Sequence, residues 1–333
     1  MSNAAVSVKR PARQNFLCLI IAVYYSLVAA DSFAQSRYSA PVRNQQVLSM
    51  LHLSWYPHTP PEVSDTGWQL SSSFAVSNTY LKKTFYTIDL ESRELRLAYS
   101  GKFSDRGVFS VEFPFIWRGG GVFDSFIEGW HDIFGLPQGG RDSAESDRYN
   151  VSGINSDGSR FNLNHSGFGS GNIILGYDHH LINNLPFFGD ATLEFELSLP
   201  SARKGFGHQQ VDFLSGIVTS NRLAGLYWSL GLSHIYFSDD NIAGVNYKNS
   251  HFEAYFLSGI KLSQSIAFEG ALSAADESVT GIPGYGSRQF YLDLLLRGNV
   301  TDLAAFSVGV RENPGSSSNS ADITGFLGFE VDL

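Results

Sequence analysis

Three side chains in the middle of this chain have the types and spacing of a chemical site. Asp124, Glu128 and His131 follow at steps of four and three residues, so a helix over 122–134 would bring all three to one flank. Carboxylates and an imidazole suit a metal or acid–base centre, but this set would still need a ligand from elsewhere. The plainer reading is that they cap the helix, pair with Arg118 or Arg141, and face water. Phe123, Phe126, Ile127, Trp130 and Phe134 form the helix's apolar stripe. Gly119 to Gly121 allow a sharp entry, and Gly135 with Pro137 ends it.

Other candidate chemistry is thinner. Ser233-His234 and His165-Ser166 are neighbours in sequence, and adjacent residues of a strand point to opposite faces, so neither pair makes a dyad. The Gly-x-Ser-x-Gly elbow is absent. Gly167 to Gly171 lacks the lysine and following helix of a phosphate cradle. These observations predict no catalytic residue, no cofactor and no metal, and leave an outer-membrane lipid hydrolase as the last alternative.

A distributed set of carboxylates carries more weight. Glu194 and Glu196 alternate with Leu193, Phe195, Leu197 and Leu199, which gives one polar and one apolar face. Glu112 has the same relation to Val111 and Phe113, Glu269 to Ile266 and Phe268, and Asp293 to Leu292 and Leu294. With Glu253 these acids are expected on the inner face of a barrel, because a charge at the lipid midplane costs about 2–4 kcal/mol. The interior is then an acidic channel, or a closed core in which the acids pair with arginines such as Arg96, Arg288 and Arg297.

The elements that would position them are strands. Period-two segments separated by turns predict strands at 45–54, 67–77, 84–90, 93–100, 107–116, 172–180, 190–199, 209–219, 223–237, 251–261, 264–272, 287–297, 300–310 and 321–333. Between 84–90 and 93–100 the apolar phase shifts from even positions (Tyr86, Ile88, Leu90) to odd ones (Leu95, Leu97, Tyr99), as a tight turn or a bulge would cause. The expectation is a transmembrane antiparallel barrel of about fourteen strands, with twelve as the alternative. Aromatics near strand ends, among them Tyr99, Trp117, Tyr177, Trp228, Tyr236 and Tyr255, suit interfacial girdles. Tight connections near Asn221, Ser263 and Asn299 alternate with long polar ones, which puts the C-terminus in the periplasm. The last strand ends its apolar phase on Leu333, as in the assembly signal of outer-membrane proteins, although the usual final residue is aromatic.

The first residues read as a signal peptide. Lys9, Arg10 and Arg13 precede an apolar run from Phe16 to Ala30, and Ser32 and Ala34 suit cleavage before Gln35. The expected domains are therefore a signal at 1–34 and one barrel at 35–333, with a long loop at 117–171. Cys18, the sequence's one cysteine, would leave with the signal. Losing Lys9, Arg10, Arg13 and Asp31 takes the charge from -9 to -11, which excludes nucleic acid as a partner. The expected surroundings are outer-membrane lipid, lipopolysaccharide and the barrel assembly machinery, in the outer membrane of a Gram-negative envelope.

Several segments resemble the bacterial envelope family DUF3187: Pro41 to Gln46, Gly119 to Asp124, Ile127 to Asp132, Phe134 to Pro137, and Gly139 to Asp142. The resemblance implies an outer-membrane barrel and names no substrate. The sequence thus predicts a passive channel or transport barrel. A structural or ligand-binding barrel without transport is the alternative. The candidate functional positions are Asp124, Glu128, Trp130, His131 and Arg141 in the long loop, and Glu112, Glu194 and Glu253 in the lumen.

Overall fold

The structure is a computed structural model; it describes residues 42–60, 67–121, 148–163, 165–223, 225–286, 288–314 and 323–333, together with Gly129 and Ala321. Apart from Gly129, the expected helix at 122–134, with Asp124, Glu128, Trp130 and His131, lies outside the described residues, as do Arg141 and the signal at 1–34.

Twelve strands make the wall: β1 Trp68–Lys82, β2 Tyr86–Ser104, β3 Gly107–Gly119, β4 Ile174–Leu185, β5 Gly189–Ser198, β6 Asp212–Leu223, β7 Leu226–Phe237, β8 Ser250–Lys261, β9 Ile266–Ala275, β10 Gln289–Thr301, β11 Ala304–Glu312 and β12 Ile323–Asp332. Each pairs antiparallel with its sequence neighbours, and β12 closes on β1 from Gln69↔Asp332 to Asn78↔Ile323. Closure removes the sheet edges that lipid could not satisfy. The connections at 105–106, 186–188, 224–225, 262–265 and 302–303 lie at one end of the barrel, which also holds the start of β1 and the end of β12. Short turns and chain ends mark the periplasmic side of such barrels.

The outer face is apolar around the whole circumference. Leu70, Phe74, Leu97, Phe113, Phe195, Ile217, Leu232, Phe256, Phe268, Leu294, Leu296, Phe306 and Phe329 are all exposed. In water such a belt would be a sticky surface far beyond ordinary patches; against hydrocarbon it is the correct solvent. At the periplasmic end Trp68 stacks on Tyr99, with ring centroids 4.9 Å apart. Tyr255, expected in a girdle, instead faces the lumen and is buried.

The strand number is twelve, the alternative count, and two expectations account for the difference. Residues 45–54 form no wall strand; they lie inside the barrel. Residues 86–100 contain neither a turn nor a bulge, because β2 pairs with β1 without a register shift from Thr87 to Gly101. Even positions of β2 face inward throughout, from Tyr86, Ile88 and Leu90 to Glu94 and Arg96. What changes at Leu90 is the inward environment. A 19-residue strand is much longer than the roughly 9–11 residues that cross a membrane. Its first turns therefore rise beyond the bilayer and face an apolar core among the long loops.

Short strands build that core. Asn150–Ile154 pairs with the top of β2, and Arg160–Asn162 pairs with Asn150–Ile154. Asn241–Ile242, Val245–Tyr247 and Val279–Thr280 form a separate small sheet. Gly167–Ser170 pairs with Phe115–Arg118, so β3 meets β4 only from Gly107 to Glu112.

Candidate functional site: the filled lumen

Every described residue from Val42 to Pro60 is buried, and the segment runs into the barrel and back. The ascending limb starts where Val42 packs on Ala75, Leu295 and Phe326. Arg43 then meets Glu94 of β2, Nη2 to Oε1 at 2.6 Å, while Gln45 Nε2 donates to Glu94 Oε2 at 2.7 Å. Asn44 donates to Gln289 of β10 at 3.0 Å.

The apex folds on its own side chains. Asn44 Oδ1 accepts the Gln46 amide, and Gln46 Oε1 accepts the amides of Leu48 and Ser49. These acceptors satisfy donors that the 3₁₀ turn Ser49–Leu51 leaves open. Val47, Leu48 and Leu51 enter the loop core, against Ile88, Leu90, Val151, Phe161, Leu163, Ile242, Val245 and Val279. Tyr247 hydroxyl donates to the Leu48 carbonyl at 2.9 Å, and burial pushes that phenol's pKa upward, so it stays a donor. Beside it, burial first, then the neighbouring His251, pushes His52 down to about 3, which keeps the imidazole neutral.

The descending limb is a row of donors laid against wall carboxylates. Leu53 amide donates to Asp212 of β6 at 3.1 Å, and Trp55 amide to Glu253 of β8 at 3.0 Å. Glu194 of β5 holds two plug side chains, Trp55 Nε1 at 3.0 Å and His58 Nε2 at 2.7 Å. Tyr56 hydroxyl donates to Glu112 of β3 at 2.9 Å. Tyr255 hydroxyl in turn donates to the His58 carbonyl at 2.8 Å. Gly231 leaves room for two rings, since a Cβ there would stand 2.3 Å from Tyr255 of the wall and 2.5 Å from Trp55 of the segment. Between the limbs and β8–β11 the cavity is about 20 Å³, room for roughly one water.

Glu112, Glu194 and Glu253 are thus brought together around one object, the N-terminal segment. The closed arrangement expected from the sequence was acids paired with arginines. Pairing occurs in part: Arg96 with Glu112, Arg297 with Glu330, and Arg311 with both oxygens of Asp293. The sequence reading missed the segment itself, although a signal was present. A wall strand needs one unbroken apolar phase, whereas in 45–54 the odd phase holds Gln45 and Ser49 and the even phase Gln46, His52 and Ser54. Ser233 is buried toward the lumen, while His234 lies in the other phase against Phe252. Among the described residues no group of three or more His, Cys, Asp or Glu could hold a metal ion.

A closed antiparallel wall, an apolar belt and a polar interior define an outer-membrane β-barrel. The chain belongs to the family described as "Protein of unknown function (DUF3187)", whose model matches residues 16–332. The fold is similar to that of the COG4313 outer membrane channel from Pseudomonas putida F1, with a TM-score of 0.53 at 10% identity over 81% of this chain and 97% of that one. The NanC porin gives 0.48 at 6% identity over 80% and 100%, and the P. putida toluene transporter TodX 0.44 at 10% over 81% and 91%. No curated protein matches the sequence.

Proposed function

We propose that the protein is an outer-membrane channel held shut by its own N-terminal segment. The observation that carries this reading is the chemistry of the closure. Segment and wall meet through hydrogen bonds and ion pairs, from Arg43 on Glu94 to His58 on Glu194, beside the apolar contacts of Leu53 and Trp55, and the carboxylates left behind on withdrawal are groups that water and ions can wet. A barrel serving only as a structural body would close more cheaply with apolar side chains, because burying charge carries a desolvation cost of several kcal/mol per ion. Signal cleavage before Gln35, contact with lipopolysaccharide and insertion by the assembly machinery belong to the same reading.

The test is conductance of refolded full-length protein in planar bilayers, beside an Arg43→Ala/His58→Ala variant that loosens the segment. The native protein is expected to be closed with rare openings and the variant to open for long periods. Silence from both, with folding verified by heat-modifiable gel mobility, would favour the structural or binding barrel.

A further inference from the structure

Resting on that channel reading, we infer that the opened lumen selects cations, because the N-terminal segment is the donor set that satisfies an otherwise anionic wall. Five carboxylates on five strands, Glu94, Glu112, Glu194, Asp212 and Glu253, each receive a hydrogen bond from residues 43–58. Their donors are a guanidinium, a side-chain carboxamide, two backbone amides, an indole, an imidazole and a phenol. Withdrawing the segment removes all of these together.

The rest of the barrel replaces them only in part, through His208 on Asp212 at 2.6 Å and His251 on Glu253 at 2.8 Å. Arg297 is held by Glu330 and Arg311 by Asp293, each pair self-neutral. Arg96 is held by Glu112 and sits within the acidic stretch. Arg118 lies at the long-loop end, where Nη1 donates to the Gly205 carbonyl and the guanidinium rests 5.0 Å from the Phe206 ring centre. It is fully buried there.

An independent observation comes from β9. Glu269 is 1% exposed, in the inward phase with Ala267 and Ala271, and its Oε1 accepts the Tyr227 hydroxyl. Its Oε2 is buried without a hydrogen-bond partner, an acceptor beyond the segment's own contacts. A low-dielectric wall focuses the field of such groups into the lumen and concentrates counter-ions there. Solutes bearing positive charge therefore compete with the segment for the same acceptors, while anions are repelled as soon as it leaves.

The experiment measures the reversal potential of Arg43→Ala/His58→Ala protein in a bilayer under a steep potassium chloride gradient. If that variant fails to fold, Tyr56→Phe/His58→Ala takes its place. Potassium permeability several-fold above chloride is expected, falling toward parity when Glu194→Gln and Glu253→Gln are added. A conducting pore with no preference, or with a preference for chloride, overturns the inference and leaves the channel reading intact. Absence of any conductance from folded protein overturns both.

Discussion

The two ends of the N-terminal segment are held by different physics. At the apex Leu48 and Leu51 are buried in an apolar core made by the long loops. Along the shaft the same segment, a few residues away, meets five wall carboxylates through charged and hydrogen-bonded groups, beside an apolar patch where Leu53 and Trp55 pack with Leu214, Val218, Ile235 and Leu257. An apolar contact carries no charge for ions to screen. A carboxylate that has lost its donor can be satisfied again by water or a passing cation. In the proposed channel the apex is the anchor and the shaft the reversible seal.

The largest effect is expected at the charged end of the shaft. Arg43→Ala leaves Glu94 buried with its ion-pair partner gone, a change that costs about 3–5 kcal/mol in comparable settings. Hydrogen exchange of the amides from Val42 to Gln46 should rise sharply while those of the wall strands hold their protection. Leu51→Ala should come next, costing about 3 kcal/mol through lost burial and the cavity left behind. Its increase in exchange should centre on Val47 to Leu51, and raised salt should not change it. Tyr56→Phe is expected to be smallest, about 1–2 kcal/mol, because it removes one donor from Glu112 and leaves Arg96 in place. If Leu51→Ala and Arg43→Ala loosened the segment identically from end to end, anchor and seal would be a single unit.

How much of this could be read in advance follows the same division. Strands with lipid on one face and polar groups on the other were legible: 190–199 against the observed Gly189–Ser198, and 321–333 against Ile323–Asp332. The inward direction of Glu112, Glu194 and Glu253 was legible as well, because hydrocarbon excludes the opposite placement. Illegible were stretches whose environment is built by distant parts of the chain. Tyr86, Ile88 and Leu90 look outward in the sequence because apolar normally means lipid; they face inward because Val47, Leu48, Phe161 and Val245 supply a second dry surface. Residues 45–54 read as a strand for the same reason, since their apolar members serve the apex and their polar members serve the turn and the shaft.

The central claim is that movement of this segment opens the pore, and a reversible lock tests it most directly. Thr59 and Ser229 hydroxyl oxygens are 3.3 Å apart, one on the segment and one on β7. Cysteines there need only a small shift to reach disulfide geometry. With Thr59→Cys and Ser229→Cys added to the Arg43→Ala/His58→Ala variant, the oxidised protein should be silent in a planar bilayer, and a reductant should restore its openings. Equal conductance before and after reduction, with the disulfide verified by mass, would contradict the account.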